Sequence, residues 1–379
     1  MLSIFQPFGV EVASGIAYGL VPKYSCGGQP DGTPLPACSK VAPGEACCTR
    51  ATNMGWRYTL FTLGAICLFI FFLRFVVFRF QESPKFLLYR GKDEKAVKVM
   101  QHIARFNGRE SSVTMEAFVA LTDEDASIGS RTTGSPVLGG GTKQSKSSFA
   151  DKVKLEFERY KILFANSTIA RLTILVWITY IFDYWGFSIA GKSRVMEPPM
   201  VFLRINYHPG SFLPKILIKK GHSINVSVSG SYRDFCIIYL CGIPGVLLGV
   251  LMYAVPLVGR KWAMVGSSAL MGVSLFLFAT VNSRASNIGF NAMEYFFQSM
   301  FNAVLYGWTP EVFPAPIRGT ACGLASFWGR LFGIVAPLVG AVLLAQNTNS
   351  PLYMGGAVVW ICTIAILLMP TSRMGAQSY

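Results

Sequence analysis

The stretch Tyr306 to Gly323, "YGWTPEVFPAPIRGTACG", places three prolines, a glutamate and an arginine between two long apolar runs. A proline in a helix interior removes a backbone hydrogen bond, so the prolines predict a tight turn between two helices. A turn alone requires neither Glu311 nor Arg318. The stretch therefore predicts two apolar helices joined by a short charged turn that has a further role.

The composition places both helices in a membrane. Hydrophobic residues make up 52% of the 379-residue chain and charged residues only 14%. The apolar residues form blocks, and about 20 such residues in a helix cross a bilayer. Eight blocks predict an all-α membrane protein, a bundle of about eight transmembrane helices. The predicted spans are Leu2 to Val21, Tyr58 to Phe80, Ile169 to Ala190, Phe235 to Leu257, Trp262 to Val281, Ile288 to Gly307, Thr320 to Ala345 and Leu352 to Met369.

The basic residues of short flanking segments predict the orientation of these spans. Eight crossings put "GRKW" (Gly259 to Trp262) and "PIRG" (Pro316 to Gly319) on one side, which we assign to the cytoplasm. The predicted domains are residues 1–80 with two helices and an external loop, the cytoplasmic linker 81–164, the six-helix bundle 165–370 and the cytoplasmic tail 371–379.

The formal charge of +15 does not indicate nucleic-acid binding, because the basic residues are scattered over the ends of apolar helices. The sequence has no P-loop and no metal-ligand spacing. It therefore predicts no enzyme activity, no cofactor and no metal.

Four cysteines, Cys26, Cys38, Cys47 and Cys48, lie in one predicted external loop. In an oxidising compartment they predict two disulfides with three possible connectivities, and a structural zinc site is the weaker alternative. The external tripeptide at Asn225, "NVS", is a candidate glycosylation acceptor.

The large cytoplasmic loop contains three kinds of sequence. Residues Glu82 to Glu110 have apolar residues at helical spacing and predict an amphipathic helix that ends near Asn107 and Gly108. Its predicted apolar face consists of Ala96, Val97, Met100, Ile103 and Ala104. Residues Thr122 to Ser148 predict a disordered linker, and Phe149 to Phe164 predict a second helical segment.

Three motifs carry a resemblance to a known family. "ESPKFLL" (Glu82 to Leu88) resembles "PESPRFL", "GRK" (Gly259 to Lys261) resembles "GRR/K", and "PEVFPAPIRGT" (Pro310 to Thr320) resembles "PExxPxxxRG". The chain resembles the major facilitator superfamily, in its sugar-porter-like branch and closest to fungal transporters related to synaptic vesicle protein two. Pro256 departs from the pattern, which often has an acidic residue there.

The family pattern has twelve spans, so the resemblance implies that this chain corresponds to the last eight and is amino-terminally truncated. A further departure is Lys192 to Gly210, which interrupts the family's expected "SIAG" to "SFLP" continuity. Its ends can be encoded as splice sites, and we hypothesise a retained intron. A lineage-specific insertion is the alternative.

The resemblance implies transport of a small organic solute by alternating access, with proton coupling. It also implies a cytoplasmic gate formed by Glu82, Arg260, Lys261, Glu311 and Arg318. Simple topology signals are the alternative for the basic three. The alternative function is a non-transporting, receptor-like or scaffold membrane protein.

Substrate contacts are predicted from polar groups within the spans. The candidates are Asp183, Tyr184, Trp185, Glu294, Gln298 and Asn302. Asp183 and the aromatic residues beside it suit a cation or a proton-coupled solute. The alternative places Asp183 at the membrane interface and Trp185 in an aromatic belt. The expected partners are the solute, protons and the lipid bilayer of a plasma membrane, vacuole or other endomembrane.

Overall fold

The structure is a computed structural model that describes most of the apolar part of the chain. The described residues are 4–26, 35–36, 38, 41–42, 44–49, 51–77, 81–84, 87, 92–109, 114, 160–161, 163–190, 228–255, 259–281, 283–314, 317–346 and 349–370. The predictions for Asn225, for Lys192 to Gly210, for the linker at Thr122 to Ser148 and for the tail 371–379 lie outside these residues.

Helices dominate the described residues. In chain order they are α1 (Phe5–Tyr24), α2 (Gly55–Val77), α3 (Asp93–Phe106), α4 (Ser167–Ala190), α5 (Val228–Leu240), α6 (Gly242–Ala254), α7 (Gly259–Phe278), α8 (Arg284–Val312), α9 (Arg318–Gln346) and α10 (Ser350–Leu367).

Five helical stretches are long and apolar enough to cross a membrane. They are Gly55–Val77, Tyr232–Tyr253, Gly259–Phe278, Arg318–Leu343 and Ser350–Leu367. The helices α1, α4 and α8 are not among the five, although they are 20, 24 and 29 residues long. Each of the three carries at least one acidic residue: Glu11 in α1, Asp183 in α4, and Glu294 and Glu311 in α8. The lower hydropathy of these helices accompanies these residues, of which Asp183 and Glu294 are buried.

The helices α4 to α10 form one bundle around a continuous apolar core. Helix α4 packs against α9 and α10, and α8 packs against α6 and α7. Trp308 and Phe301 of α8 are fully buried in this core. Helix α1 packs on α5 and α2, whereas none of the most apolar window of α2 is buried. The exposed surface of α2 is therefore suited to hydrocarbon.

Glycines bring α6 directly onto the backbone of α8. A Cβ atom added to Gly249 would lie 2.9 Å from the carbonyl oxygen of Met300. One added to Gly245 would overlap the carbonyl oxygen of Phe296. Small residues allow this close helix contact in membranes, where dispersion contacts replace the hydrophobic effect as the driving force.

Helix ends assigned to the same side of the membrane meet in the structure. Arg171 of α4 donates to the carbonyl of Leu368 at 3.1 Å. Lys261 of α7 donates to two further carbonyls at the end of α10, at 2.8 and 2.9 Å. These cations satisfy carbonyls that a helix terminus leaves free. On the opposite side, Asp234 of α5 pairs with Arg284 of α8.

The predicted span Phe235 to Leu257 is divided into α5 and α6 by a turn at Cys241. Pro244 lies in the first turn of α6 and has no N–H to donate to the carbonyl of Leu240. Gly242 adds further backbone freedom at the same point. The predicted span nevertheless matches one apolar helical stretch, Tyr232–Tyr253, with this turn inside it.

The turn in the opening stretch is shorter than its prolines suggest. Pro310 lies inside α8, which continues to Val312 before α9 begins at Arg318. Trp308 and Val312 are buried in the core on both sides of Pro310. Core packing therefore keeps this last turn helical despite the missing hydrogen bond.

The amphipathic helix predicted between Glu82 and Glu110 begins at Asp93 and ends at Phe106. Gly108 follows with φ of +67°, a conformation that glycine adopts without strain. The buried residues are Ala96, Val97 and Val99, while Ile103 is 43% exposed. Leu87 covers the apolar face around Ala96 and Val99, whereas Ile103 of the same predicted face is exposed.

Two nested disulfides close the loop between α1 and α2. Cys26 is joined to Cys48 and Cys38 to Cys47, with Cα–Cα distances of 5.7 and 4.8 Å. At the base of the loop, the backbone N–H of Met54 donates to the carbonyl of Tyr24 at 2.9 Å. These links tie the ends of α1 and α2 together.

Candidate functional site

A polar cavity of about 280 Å³ lies between α1, α4, α5, α6 and α8. Its lining combines two carboxylates and four amides with tyrosines and a few apolar side chains. The lining residues are Gln6, Pro7, Val10, Asp183, Tyr184, Phe187, Ile238, Tyr239, Val246, Asn291, Glu294, Tyr295, Gln298, Ser299, Asn302 and Tyr306. A concave site with a few convergent polar groups is the usual form of a small-molecule site.

Helix α8 contributes the longest polar stripe to the cavity. Asn291, Glu294, Gln298, Asn302 and Tyr306 follow one another at spacings of three or four residues, which puts them on one helix face. The first four are between 3% and 8% exposed. The buried core residues of α8, such as Val304 and Trp308, lie on the adjacent face, so the rotation of the helix that buries the core also directs the stripe at the cavity.

Helix α4 presents Asp183 and Tyr184 from the opposite wall. Asp183 is 2% exposed, and its Oδ1 atom makes no hydrogen bond within the described residues. It also interacts electrostatically with Glu294 across the cavity. Asp183 is thus buried within the bundle, seven residues before α4 ends at Ala190.

Hydroxyl groups join α4 to α8 beside these carboxylates. The hydroxyls of Tyr184 and Tyr306 are 3.1 Å apart, and Tyr180 donates to the Oγ1 atom of Thr309 at 3.0 Å. Thr309 in turn donates to the carbonyl of Leu305 at 2.7 Å. These bonds fix the tyrosine rings that form one wall of the cavity.

The cavity presents acceptors that lack donors. Besides Asp183, the buried side-chain oxygens of Gln298 and Asn302 have no hydrogen-bond partner within the described residues. Burying such groups without a partner costs roughly 1–3 kcal/mol each in proteins. The described lining contains no lysine, arginine or histidine. The arrangement therefore favours a guest that brings hydrogen-bond donors and positive charge.

An ion pair joins the middle of α5 to the amino-terminal end of α8. The Nε and Nη2 atoms of Arg284 donate to the two carboxylate oxygens of Asp234 at 2.9 and 2.8 Å. The Asp234 side chain is only 10% exposed. Such two-point pairing restrains orientation as well as distance. The sequence analysis missed this pair because its members are 50 residues apart on separate helices.

Two of the predicted gating residues pair at the inner end of the bundle. Arg260 of α7 lies 2.8 Å from the carboxylate of Glu311 of α8. Tyr253 donates to the same carboxylate at 2.7 Å, and the guanidinium lies 4.6 Å from the centre of its ring. All three groups belong to the α4–α10 bundle, so they form one charged surface on it.

The other predicted gating residues lie apart from this pair. Lys261 binds the end of α10, as described above. Arg318 starts α9, and its buried Nε atom has no hydrogen-bond partner within the described residues. Glu82 is exposed in a groove next to α3.

The structure places five of the six predicted substrate contacts on the cavity. Asp183, Tyr184, Glu294, Gln298 and Asn302 line it. Trp185 does not: its ring packs against Phe332 of α9 at 5.6 Å between centroids. Consecutive residues of a helix point about 100° apart, so a neighbour of Asp183 need not share its surroundings.

Sequence reasoning missed Asn291 and Tyr306 as cavity residues. Both lie at helical spacing from Gln298 and Asn302. Extending that pair by whole turns in both directions would have identified them.

Comparisons with known proteins find relatives over the whole chain. The chain is 35% identical over 381 residues to an MFS siderochrome iron transporter of Ceriporiopsis subvermispora. It is 32% identical over 388 residues to an uncharacterised MFS-type transporter of Schizosaccharomyces pombe. Both alignments cover 100% of this chain, and they cover 64% and 62% of the relatives. It is also 23% identical to an organic cation/carnitine transporter of Arabidopsis thaliana, over 85% of this chain and 62% of that protein. No protein-family model matches the chain.

These comparisons identify the kind of fold. The named relatives are major facilitator transporters, and together with the apolar helices they confirm an all-α membrane bundle of the major facilitator type. The relatives are transport proteins, which agrees with the expectation that the chain is not an enzyme. The chain spans 62 to 64% of the length of these relatives.

Proposed function

We propose that this chain is the carboxy-terminal part of a major facilitator transporter that moves a small organic solute by alternating access. The observation that carries the proposal is the polar cavity within an apolar bundle, with buried Asp183 facing it. The names of the relatives support the same activity. Placement in the sugar-porter-like branch, near the relatives of synaptic vesicle protein two, rests on the three motifs and belongs to this proposal.

We propose further that the solute carries a cationic group or travels with protons. Two carboxylates in a cavity of low dielectric require protons or a matching cation. The unpartnered oxygens of Gln298 and Asn302 also suit N–H or O–H donors of a solute. Tyr184 and Tyr306 add aromatic surface on which an alkylated ammonium group binds well.

The mechanism requires the two halves of the complete protein to rock around this site. In the proposal, Arg260 and Glu311 form part of the surface that closes the cytoplasmic end. A charged pair at such a surface forms favourably when partly desolvated and separates at little cost when hydrated. Release of the solute on one side would leave Asp183 to accept a proton before the cavity closes again.

Uptake by cells that express the full-length gene tests the proposal. The panel compares small solutes that differ in charge but match in size: ammonium compounds, neutral hydroxyl compounds and carboxylates. We expect cationic solutes to accumulate, with a rate that changes when the proton gradient is collapsed. If no solute moves while the protein is present in the membrane, the receptor-like or scaffold function gains support.

A further inference from the structure

A second groove, of about 360 Å³, lies outside the apolar bundle at the amino-terminal end of α3. Three lysines surround it, and its floor is apolar. The lining residues are Gln81, Glu82, Leu87, Lys92, Lys95, Lys98 and Val99. Of these residues, only Glu82 has a predicted role in gating. The other six have no part in the transport mechanism proposed above.

An apolar stripe continues from the floor of this groove along α3. Val99, Ile103 and Phe106 are spaced by four and three residues, so they lie on one helix face. Their exposed fractions rise from 7% through 43% to 86%. Leu87 covers the start of the stripe, and its end is bare. Ile103 and Phe106 are three residues apart and together leave an exposed apolar surface at this end of α3.

The same helix is basic. Residues 92–109 contain five lysines and arginines and two acidic residues. Lys98 forms an i,i+4 ion pair with Glu94, and its ammonium holds the pKa of that carboxyl below its usual value. Lys92 and Lys95 are exposed and lie on the side of α3 that carries the apolar stripe. Basic residues beside an apolar stripe are the pattern of helices that lie in a membrane interface.

The groove lies close to the membrane surface. Helix α2 ends at Val77, and Gln81 of the groove follows only four residues later. Even a fully extended chain spans at most about 3.6 Å per residue, so this part of the groove lies within roughly 15 Å of the end of α2. The lysines of the groove are therefore within reach of lipid head groups.

We propose that α3 and this groove bind an anionic phospholipid of the leaflet in which α2 ends. Lys92 and Lys95 contact its phosphate, while Ile103 and Phe106 enter the boundary between head groups and acyl chains. A membrane lipid fits better than a soluble phosphate compound, because the apolar stripe would gain nothing from a soluble anion. The bound lipid would hold α3 against the membrane surface.

The proposal is tested by measuring how tightly phosphatidylserine binds to the full chain in detergent micelles. Native mass spectrometry measures this binding, and phosphatidylcholine serves as the neutral comparison lipid. The test variant carries Lys92→Gln and Lys95→Gln. The matched control carries Lys23→Gln and Lys161→Gln, which removes the same charge from two exposed lysines elsewhere. Glutamine is a good helix former, so the test variant keeps α3.

Each basic residue near an anionic surface contributes a factor of about five in affinity, so we expect the test variant to bind phosphatidylserine roughly 25-fold more weakly. The control variant should bind it as the wild type does. Phe106→Gln should also weaken lipid binding. Soluble glycerophosphoserine, used as a competitor, should not displace the lipid at equal concentration.

Two results would overturn the proposal. Equal loss of affinity in the test and control variants would show that only net charge matters. Effective competition by glycerophosphoserine, with no effect of Phe106→Gln, would show a site for a soluble anion instead of a lipid.

Discussion

Gly245 provides a sharp test of how α6 and α8 pack. In Gly245→Ala the new methyl group overlaps the carbonyl oxygen of Phe296 and lies 3.1 Å from its carbonyl carbon. These are backbone atoms, which cannot rotate away as a side chain does, so α6 must shift away from α8. Overpacking of this kind costs about 1–3 kcal/mol. Alanine in place of glycine returns up to about 1 kcal/mol of helix propensity.

Gly266→Ala is the matched control for this substitution. Gly266 lies within α7, and an added Cβ atom there has no neighbour within 4 Å. Both variants gain the same helix propensity, so the difference between them isolates the cost of the clash.

The assay is the thermal unfolding midpoint of each variant in the same detergent. We expect Gly245→Ala to unfold several degrees below Gly266→Ala, which should match or exceed the wild type. Equal midpoints for the two variants would refute the direct backbone packing of α6 on α8.

Three further predictions follow from the ion pairs and disulfides. Asp234→Asn removes the two-point partner of the partly exposed Arg284, and we expect thermal stability to fall by about 1–2 kcal/mol; an unchanged midpoint would contradict a restraining role. Glu311→Gln should change stability by less than about 1 kcal/mol because this carboxylate is 47% exposed, while uptake by the complete protein falls through the loss of its pair with Arg260. Mass spectrometry after alkylation should detect five modified cysteines in the unreduced, denatured chain and nine after reduction; nine without reduction would rule out the two disulfides of the 26–48 loop.

The features that the sequence predicts well are those that depend on composition and periodicity. The apolar runs predict the fold, since few other arrangements satisfy the backbone of a long apolar segment. Gln298 and Asn302 are one turn apart, which predicts that they share a helix face, and both line the cavity. Helical spacing alone is sufficient to predict that two residues share a helix face.

The features that the sequence predicts poorly depend on how one helix is rotated against another. Trp185 follows Asp183 by two residues but packs against Phe332, and no local pattern indicates that partner. Glu311 pairs with Arg260, which is distant in sequence, and not with the nearby Arg318. Such pairs are fixed by the packing of α7 on α8, which a single sequence does not specify.

The exposure of Ile103 has a similar cause. Helical spacing places Ile103 on the predicted apolar face with Ala96, but only the first half of α3 meets Leu87. Periodicity identifies the apolar face of a helix without showing how much of that face another segment covers.

Solute uptake by Asp183→Asn in the complete protein tests whether the buried carboxylate takes part in transport. Asp93→Asn in α3 makes the same chemical change away from the cavity and serves as the control. We expect Asp183→Asn to lose uptake of a cationic solute at normal surface expression, while Asp93→Asn retains it. Normal uptake by Asp183→Asn would contradict the claim that this buried carboxylate binds the solute or its coupled proton.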